Sequence, residues 1–342
     1  MAIVRLWVYD GVLASTVTGF VDVLAVANAM WRQNAPRIGL APLFAWSVES
    51  MSGGPVTSAS NHAIAVDAAI GARRPADAVV VFGPFVGGGV DAFLRHWDAA
   101  RADLQPILQA LRAVHRRGSR VASVCSGAFL LAEAGLLDGA RATTHWALVD
   151  AMRRRYPGVA ILGDEVLVDN DRTVCSGAMT SYLNLALWLV ERHGGAALAS
   201  ATAKVMLIDR QRVSQASYRS LTVQAQARHD DALVGKAQRC LEQRLQEGIR
   251  LPLLAGELAV SERTLNRRFL KALGQTPLQY LQSLRIDHAK NLLETTRLSV
   301  ETVGAHVGYG DASTFRRLFK RETGLTPKGY QQRFGGARQE RG

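Results

Sequence analysis

The stretch SERTLNRRFLKALGQTPLQY at residues 261–280 returns, fifty positions later, as DASTFRRLFKRETGLTPKGY at residues 311–330. Seven positions within a window of seventeen residues are identical, whereas chance would supply about one. The identical pairs are Thr264/Thr314, Arg267/Arg317, Phe269/Phe319, Gly274/Gly324, Thr276/Thr326, Pro277/Pro327 and Tyr280/Tyr330. Such a duplication indicates two copies of one small structural unit in the C-terminal half of the chain.

Each copy predicts a short helix, a tight turn and a second helix that begins after a capping side chain. The predicted elements are Leu253–Ala259, the cap Ser261 and Glu262–Leu273 in the first copy, and Val300–Val307, the cap Asp311 and Ala312–Glu322 in the second. Gly274 and Gly324 should end the second helices, since glycine accepts the left-handed conformation of a helix C-terminus. Each Thr-Pro pair that follows should start the next element.

This layout suits a helix that enters the major groove of DNA. The first turns of such a helix carry side chains that reach base edges, and its far face packs on a partner helix. Arginine pairs with guanine and asparagine with adenine, while hydroxyl groups and further basic residues contact phosphates or bases. An ordinary helical hairpin with a basic, solvated face is the alternative, but it leaves the repetition of the same arginine and end signals unexplained.

The distribution of charge supports the DNA hypothesis. Residues 1–200 hold 17 Lys/Arg against 16 Asp/Glu, and residues 201–342 hold 24 against 13. The excess positive charge of the chain therefore lies in the half that contains the repeat, as expected of a nucleic-acid-binding domain joined to a neutral one. RNA or an acidic protein would also suit the charge, but neither accounts for the repeat.

Residues 250–334 closely resemble the AraC/XylS DNA-binding domain. The motifs that carry the resemblance are Ser261-Glu262-Arg263-Thr264-Leu265-x-Arg267-x-Phe269, Gly274–Tyr280, Arg285–Leu293, Val307–Asp311 and Phe315–Lys320. The resemblance implies two helical subdomains joined by a long helix around Leu278–Glu294, with recognition helices that enter successive major grooves about 34 Å apart. One departure is Gly304, where the family usually has alanine, at a cost of ~1 kcal/mol in helix stability.

The resemblance also predicts which residues contact DNA. The base-reading positions of the family fall on Arg263, Asn266 and Arg267 in the first unit, and on Ala312, Ser313, Arg316 and Arg317 in the second. We expect Ser261, Thr264 and Lys320 to complete the DNA-binding surface through phosphates or bases.

The first two hundred residues alternate apolar, β-branched runs with helix-like stretches. The predicted strands are Ile3–Tyr9, Ala78–Phe82 and Arg120–Val124, and the predicted helices are Ala92–Arg116 and Ala128–Leu137. This alternation predicts an α/β domain with a parallel sheet between two layers of helices. The expected organisation is an α/β domain at 1–208, a linker at 209–231, an all-α DNA-binding domain with two tandem helix-turn-helix units at 232–335 and a disordered tail at 336–342.

The segment Arg120–Phe129 has the layout of a nucleophile elbow. A strand ends at Cys125, and small residues lead into a helix whose N-terminus should lower the pKa of the thiol. His145, in Ala142-Thr143-Thr144-His145-Trp146, is a candidate partner of the thiol. The alternative is structural, since a cysteine at a strand end is often a small buried residue and a lone histidine often a hydrogen-bonding one.

Residues 3–200 resemble the PfpI-like superfamily, which shares a flavodoxin-like α/β fold with class I glutamine amidotransferases, and most closely the GlxA-type branch fused to AraC domains. The motifs that carry the resemblance are Gly19–Leu24 with Asn28, Val124–Ala132, Gly135–Gly139, Ala142–Trp146 and Leu187–Gly194. Isonitrile hydratases of the superfamily share the segments around Cys125 and His145. Catalytic members carry an acid near the cysteine where this sequence has Thr16, and a hydroxyl is no general base near neutral pH.

Two hypotheses follow. In the first, the chain is a regulator, not an enzyme, and a former active site serves as an effector pocket lined by Thr16, Phe85, Cys125, Ser126 and His145. Its expected partners are double-stranded DNA, RNA polymerase, a second copy of the chain through the first domain, and a small molecule such as an amino acid or amine. In the second, the chain is an isonitrile hydratase or amidase with Cys125 as nucleophile, tethered to DNA.

Composition and motif spacing bear on the remaining classes of protein: membrane, secreted, disulfide-linked, metal-binding and cofactor-binding proteins. The apolar stretches are short and interrupted, so we expect no membrane span, and the N-terminus runs directly into a strand, so we expect no secretion signal. Cys125, Cys175 and Cys240 lie far apart without CxxC spacing, so we expect no disulfides and no metal site. This use of cysteine suits a cytoplasmic location. The glycine-rich loop at 83–89 lacks the context of a dinucleotide site, so we expect no cofactor.

Overall fold

The computed structural model describes residues 1–33, 41–71, 74–210, 214–219, 231–247 and 249–335. The chain divides into two compact units, Met1–Gln215 and Ala216–Gly342. Most of the predicted linker at 209–231 and all of the predicted tail at 336–342 lie outside the described residues. Within the linker span, Gln215 is 3% exposed and hydrogen-bonded into the first unit, so this part is packed rather than a free tether.

A seven-stranded sheet forms the centre of the first unit. In chain order the strands of this unit are β1 (Ala2–Trp7), β2 (Phe44–Ser50), β3 (Val56–Thr57), β4 (Ala63–Ile64), β5 (Ala68–Ala69), β6 (Ala78–Phe82), β7 (Arg120–Val124), β8 (Arg141–Ala142), β9 (Ala160–Ile161), β10 (Leu167–Asp169) and β11 (Thr173–Ser176). The sheet has the order β10-β11-β7-β6-β1-β2-β5. Every neighbouring pair in it is parallel except β10 with β11. The remaining strands pair as β3 with β4 and β8 with β9.

Helices cover both faces of this sheet, because its central strands point apolar side chains to alternate sides. In chain order the helices are α1 (Ala14–Gln33), α2 (Gly89–Ala100), α3 (Gln105–Arg116), α4 (Ala128–Glu133), α5 (Val149–Arg155) and α6 (Tyr182–Val205). Val80 and Phe82 of β6 pack with α1 and α6, whereas Val79 and Val81 pack with α2 to α5. The predicted α/β sandwich is therefore confirmed.

Helix α1 is long and apolar enough to cross a membrane by length and composition alone. Its mean hydropathy meets this criterion, although polar residues break the uninterrupted apolar run expected of a membrane span. Phe20, Val23 and Leu24 are fully buried against the sheet. The Asn28 side chain donates to the Phe44 carbonyl at 2.9 Å and accepts from the Phe44 amide at 2.8 Å. These contacts make α1 a core helix of the α/β unit.

Two predicted helices differ from the structure. The span Ala92–Arg116 is two helices, α2 and α3, because Pro106 lies at the start of α3 and lacks the amide hydrogen that a continuous helix needs. The span Ala128–Leu137 leaves the helical form after Glu133, ahead of Gly135 with φ +70°. Predicted strands Ala78–Phe82 and Arg120–Val124 match β6 and β7, and Ile3–Tyr9 is shifted to Ala2–Trp7.

The second unit is helical and contains two small cores. Its helices are α7 (Ala232–Gln243), α8 (Leu251–Glu257), α9 (Glu262–Leu273), α10 (Pro277–Thr295), α11 (Val300–His306), α12 (Ala312–Thr323) and α13 (Pro327–Phe334). Phe269 lies in the first core and Phe319 in the second. Helix α10 contributes Leu281 to the first core and Leu293 to the second, so one helix joins the two predicted helix-turn-helix units.

The predicted end signals of the repeated helices are confirmed. The Ser261 hydroxyl accepts from the Thr264 amide at 3.2 Å, and the Asp311 carboxylate accepts from the Thr314 amide at 2.8 Å. Gly274 and Gly324 end α9 and α12 in the left-handed conformation, with φ of 71° and 74°. These local signals place the helix boundaries within two residues of the prediction.

The repeated tyrosines have the same role in both units. Tyr280 packs edge-on against Phe269, and its hydroxyl donates to Glu242 at 2.8 Å. Tyr330 packs edge-on against Phe319, and its hydroxyl donates to Glu294 at 2.5 Å. A shared Phe–Tyr contact with a carboxylate acceptor therefore accounts for two of the seven identities.

Gly304 has a packing reason that the sequence did not reveal. It is the fifth residue of α11, and the fifth residue of α8 is Ala255. A Cβ at Gly304 would lie 3.0 Å from Cδ1 of Phe315, which stands fifty positions after Leu265. Ala255 and Leu265 share the first core, and at the matching positions the second unit has glycine and the larger phenylalanine.

We predict that the effect of Gly304→Ala on the free energy of unfolding changes sign with the residue at position 315. In the wild-type chain it should destabilise the second unit by ~1 kcal/mol, because crowding of Phe315 outweighs the gain in helix propensity. In a Phe315→Leu background, which copies the first unit, the same substitution should stabilise by ~1 kcal/mol. Urea unfolding of the four chains measures the coupling. A stabilising Gly304→Ala in the wild-type chain would contradict this packing account.

Candidate nucleic-acid interface and cysteine elbow

Helices α9 and α12 each bury one face and expose a basic one. Leu265 and Phe269 of α9 are buried, as are Phe315 and Phe319 of α12. The opposite faces expose Arg263 and Arg267 on α9 and Arg316, Arg317 and Lys320 on α12. Asn266, Thr264 and Ala312 are partly buried, and Ser261 and Ser313 are exposed. The ten predicted contact residues thus lie at exposed or half-exposed positions, from the cap to the middle of α9 and along the first nine residues of α12.

The exposed arginines differ in whether they are already paired. Arg316 forms an ion pair with Glu301 of α11. The side chains of Arg263, Arg267 and Arg317 make no hydrogen bond or ion pair with another residue of the described chain. Unpaired guanidinium groups on the exposed face of a helix can form bidentate bonds to guanine without first losing a partner.

The neighbouring Arg268 has a structural role. Its guanidinium donates to both carboxylate oxygens of Asp231 at 2.7 Å, and this carboxylate also caps α7 by accepting from the Leu233 and Val234 amides. Arg268 therefore fastens α9 to α7. No sequence pattern indicated this role, because the acceptor lies 37 positions away.

The caps of the two helices differ in charge, although the first turn of α9 also carries the carboxylate of Glu262. Ser261 caps α9 with a neutral hydroxyl, whereas Asp311 caps α12 with a carboxylate that also accepts from the Ser313 hydroxyl at 2.6 Å. Hydrogen bonds from Ser313 and Thr314 hold the pKa of Asp311 well below its usual range. Helix α12 therefore begins with a fixed negative charge, and its Ser313 hydroxyl is already hydrogen-bonded.

The cysteine elbow has the predicted backbone geometry. Cys125 follows β7 directly, has a φ of 59° and opens a helical turn, Cys125–Gly127, that leads into α4. The turn lies tightly against the end of β6, since a Cβ on Gly83 would be 2.0 Å from the Ser126 hydroxyl. A positive φ at cysteine is a strained conformation that surrounding contacts must maintain.

The thiol of Cys125 differs from the prediction. We expected the helix N-terminus to lower its pKa, but burial raises the pKa of Cys125 to about 11, and hydrogen bonds from Ser126 offset only part of this increase. The reason is that the side chain packs against the apolar core that also holds Val124. Cys125 is therefore a protonated thiol at neutral pH.

His145 lies in the segment beside the elbow. The Thr144 hydroxyl donates to the Cys125 carbonyl at 3.0 Å. The Nδ1 atom of His145 accepts from the Ala147 amide at 3.2 Å and so caps the turn Trp146–Leu148. Burial lowers the pKa of His145 to about 4. The imidazole is therefore neutral at pH 7, and its Nδ1 atom is occupied by the backbone.

The other predicted pocket residues follow neighbouring strands. The Thr16 hydroxyl donates to the Leu13 carbonyl at 2.7 Å, in the first turn of α1. The Ser126 hydroxyl donates to the Pro84 carbonyl at 3.1 Å. Phe85 is 50% exposed, and its amide donates to the Gly11 carbonyl at 2.9 Å. These loops leave the carboxyl ends of β1, β6 and β7, which is where open α/β sheets bind ligands.

Two residues beside the elbow were missed by the sequence analysis. The Tyr9 hydroxyl donates to the Phe82 carbonyl, and burial, together with the nearby Cys125, raises the pKa of Tyr9. Its position just beyond β1 was the available signal. Gln215 inserts its amide between backbone carbonyls of Thr144 and Gly163, and no local pattern indicated this.

Comparison with known proteins agrees with the two-unit structure. A model described as "Helix-turn-helix domain" matches residues 254–333, and one described as "DJ-1/PfpI family" matches residues 43–192. The chain is 31% identical over 287 residues to HTH-type transcriptional regulator CdhR of Pseudomonas aeruginosa, covering 84% of this chain and 81% of that protein.

Two further relatives cover both units. HTH-type transcriptional regulator GbdR of Pseudomonas aeruginosa is 28% identical over 290 residues, covering 85% of this chain and 75% of that protein. HTH-type transcriptional regulator GlxA of Rhizobium meliloti is 26% identical over 234 residues, covering 68% and 72%. The chain therefore belongs to the HTH-type transcriptional regulators in which a DJ-1/PfpI α/β domain is joined to an AraC-type DNA-binding domain.

Proposed function

We propose that the α/β domain of this regulator binds a small molecule at the cysteine elbow and that binding changes how the DNA-binding domain engages its operator. The observation that carries the proposal is the contrast between geometry and chemistry at Cys125. The elbow keeps its strained φ of 59°, a conformation that costs about 1–3 kcal/mol. A strained turn retained without an active nucleophile supports a site kept for binding.

The state of the side chains argues against catalysis. The thiol of Cys125 has a pKa of about 11 and the imidazole of His145 one of about 4. A thiol-activating base needs a pKa closer to neutrality. The Thr16 hydroxyl, at the position of the catalytic acid in enzymes of the superfamily, bonds to its own helix turn. We therefore propose that the chain is not an enzyme.

The competing function is an enzyme tethered to DNA, such as an isonitrile hydratase or amidase. The elbow backbone at Cys125 favours it, because this turn presents a nucleophile in catalytic relatives. It requires Cys125 to become a thiolate when substrate binds. The two functions differ in one observable property, since an enzyme converts its ligand and a sensor returns it unchanged.

On the DNA side, we propose that α9 and α12 are the recognition helices. Arg263, Asn266 and Arg267 are the base-reading set of α9, with Ser261 and Thr264 beside them. On α12 the main base-reading residue is Arg317. The other contact residues of this helix are Ala312, Ser313, Arg316 and Lys320. The exposed faces and the unpaired guanidinium groups support this assignment.

The regulator acts, in this proposal, as a cytoplasmic homodimer that recruits or blocks RNA polymerase at its operator. The α/β domain is the dimerising part, and an amino acid or amine is the candidate effector. Among the described residues, α1 is the one helix that is both long and apolar enough to span a membrane, and its buried core position supports a cytoplasmic protein.

We predict that Arg267→Ala and Arg317→Ala each weaken binding to a selected operator by about 1–3 kcal/mol and relax base preference at one position. Anisotropy titrations of the full chain on the selected duplex and on a scrambled duplex measure this. Exposed Arg154 of the first unit supplies the matched control, Arg154→Ala, which should bind as wild type. Equal losses on both duplexes would show that the arginines contact only phosphate.

The adjacent Arg268→Ala should behave differently from Arg267→Ala. It removes the bidentate contact to Asp231, so it should lower the melting temperature of the DNA-binding domain, whereas Arg267→Ala should leave that temperature unchanged. Differential scanning calorimetry of both variants checks the distinction. An equal loss of stability in the two variants would contradict the separation of roles.

The protonated thiol gives a prediction for alkylation. Because the pKa of Cys125 is about 11, its rate with iodoacetamide should rise about tenfold per pH unit from pH 7 to pH 10, following the thiolate fraction. The measurement uses Cys240→Ser, since Cys240 is also partly exposed. A rate that reaches a plateau below pH 8 would reveal an activated thiolate and favour the enzyme.

Ligand binding is tested on the full chain with amino acids and amines. A true effector at one hundred times its Kd should stabilise the α/β domain by about 2.7 kcal/mol, seen as a raised melting temperature, and should be recovered unchanged. Phe85→Ala, at a half-exposed position, should reduce the shift while leaving the unliganded melting temperature intact. Conversion of the ligand that is abolished by Cys125→Ala would establish the enzyme instead.

A further inference from the structure

Gln215 is held in a fitted socket of the first unit. Its side chain is almost fully buried, at 3% exposure. Nε2 donates to the carbonyls of Thr144 and Gly163 at 2.9 and 3.0 Å, and Oε1 accepts from the Ala178 amide at 3.0 Å. A Cβ on Gly177 would lie 2.8 Å from Oε1, so only glycine leaves room there. Buried amides bonded at both ends are expensive to withdraw.

The socket shares Thr144 with the segment beside Cys125. This segment, Thr144 and His145, is the wall of the cysteine elbow. Thr144 accepts the Gln215 bond through its carbonyl and donates through its hydroxyl to the Cys125 carbonyl at 3.0 Å. His145 is the next residue along the chain. A ligand that moves the segment beside Cys125 therefore displaces the acceptor of the Gln215 amide.

The residues directly after Gln215 dock on the second helix-turn-helix unit. Ala216–Tyr218 forms a 3-10 turn that packs beside α12. The Tyr218 ring meets Phe334 of α13 edge-on at 5.2 Å, and its hydroxyl accepts from Arg333 at 3.2 Å. Nζ of Lys290, which is 7% exposed, donates to the Arg219 carbonyl at 2.9 Å. Each of these contacts lies within the second unit.

The two attachments are separated by very little chain. Only Ala216 and Ser217 lie between Gln215 and Tyr218, and both are buried. A 3-10 turn advances about 2 Å per residue, against ~3.4 Å for extended chain, so the segment can lengthen by only a few ångströms before one attachment breaks. The covalent path from Gln215 in its socket to the docked Tyr218 therefore leaves little room to absorb movement of either end.

We propose that Gln215 is a positioning residue that couples the wall of the cysteine elbow to the second helix-turn-helix unit through Ala216–Arg219. This inference rests on the proposed function, because it supplies the route from an occupied elbow to DNA. The segment contacts α12, α13 and Lys290, which lies in the half of α10 that packs with the second core. The signal therefore enters at the second helix-turn-helix unit and reaches α8 and α9 only through the rest of α10. Effector binding then changes recognition of one half-site before the other.

The coupling is testable without any ligand, by hydrogen–deuterium exchange of the full chain. Gln215→Ala should speed amide exchange in peptides covering Ala312–Thr323 and Pro327–Phe334 by at least about threefold, and leave Leu251–Leu273 near the wild-type rate. Tyr218→Ala should in return speed exchange at the Ala178 amide, which Gln215 protects. Gln243→Ala, at an exposed glutamine of α7, is the matched control and should change neither region.

Exchange changes confined to the mutated unit in both variants would overturn the coupling and make the segment a simple tether. If Gln215→Ala impairs folding of the first unit, Gln215→Met keeps the volume without the hydrogen bonds, and Tyr218→Ala still reads the coupling from the other side. A ligand that stabilises the α/β domain while exchange stays local would refute this inference and leave the proposed function standing. If exchange changes in both units but no ligand in the thermal screen stabilises the α/β domain, this inference stands and the proposed function fails.

Discussion

Helix α10 is the constraint on which the DNA-binding unit depends, because one rigid helix belongs to two cores. Its nineteen residues make it about 28 Å long. Tyr280 and Leu281 near its start pack with α9, whereas Ala289 and Leu293 near its end pack with α12. The separation of α9 and α12 is therefore set by covalent geometry and core packing, so that the proposed pair of recognition helices addresses grooves at one fixed spacing.

The two proposed recognition helices, α9 and α12, are not equivalent. The first begins with a neutral serine cap and offers unpaired Arg263 and Arg267. The second begins with an anionic cap at Asp311, and its Arg316 is paired with Glu301. In the coupling proposed for Gln215, the segment Ala216–Arg219, which packs beside α12 and bonds to Lys290, acts on the helix with fewer unpaired base-reading side chains.

The sequence predicted those features that depend on local signals. Caps at Ser261 and Asp311 and glycine stops fixed α9 and α12, because each signal acts within one helix turn. Pro106 could have revealed the break between α2 and α3 and was overlooked. The Arg268–Asp231 contact, the Gln215 socket and the raised pKa of Cys125 depend on residues far apart in the chain or on burial. Such properties follow from the folded core, which a single sequence does not display.

Selection of DNA from a random library by the purified chain tests the central claim most directly. The account predicts enrichment of two unlike half-sites at one constant spacing of about 10 base pairs, one helical turn. The first should show the stronger base preference, because α9 offers more unpaired base-reading side chains than α12. A single short motif, two half-sites at variable spacing, or no enriched sequence would contradict the claim that α10 holds two recognition helices at a fixed separation on DNA.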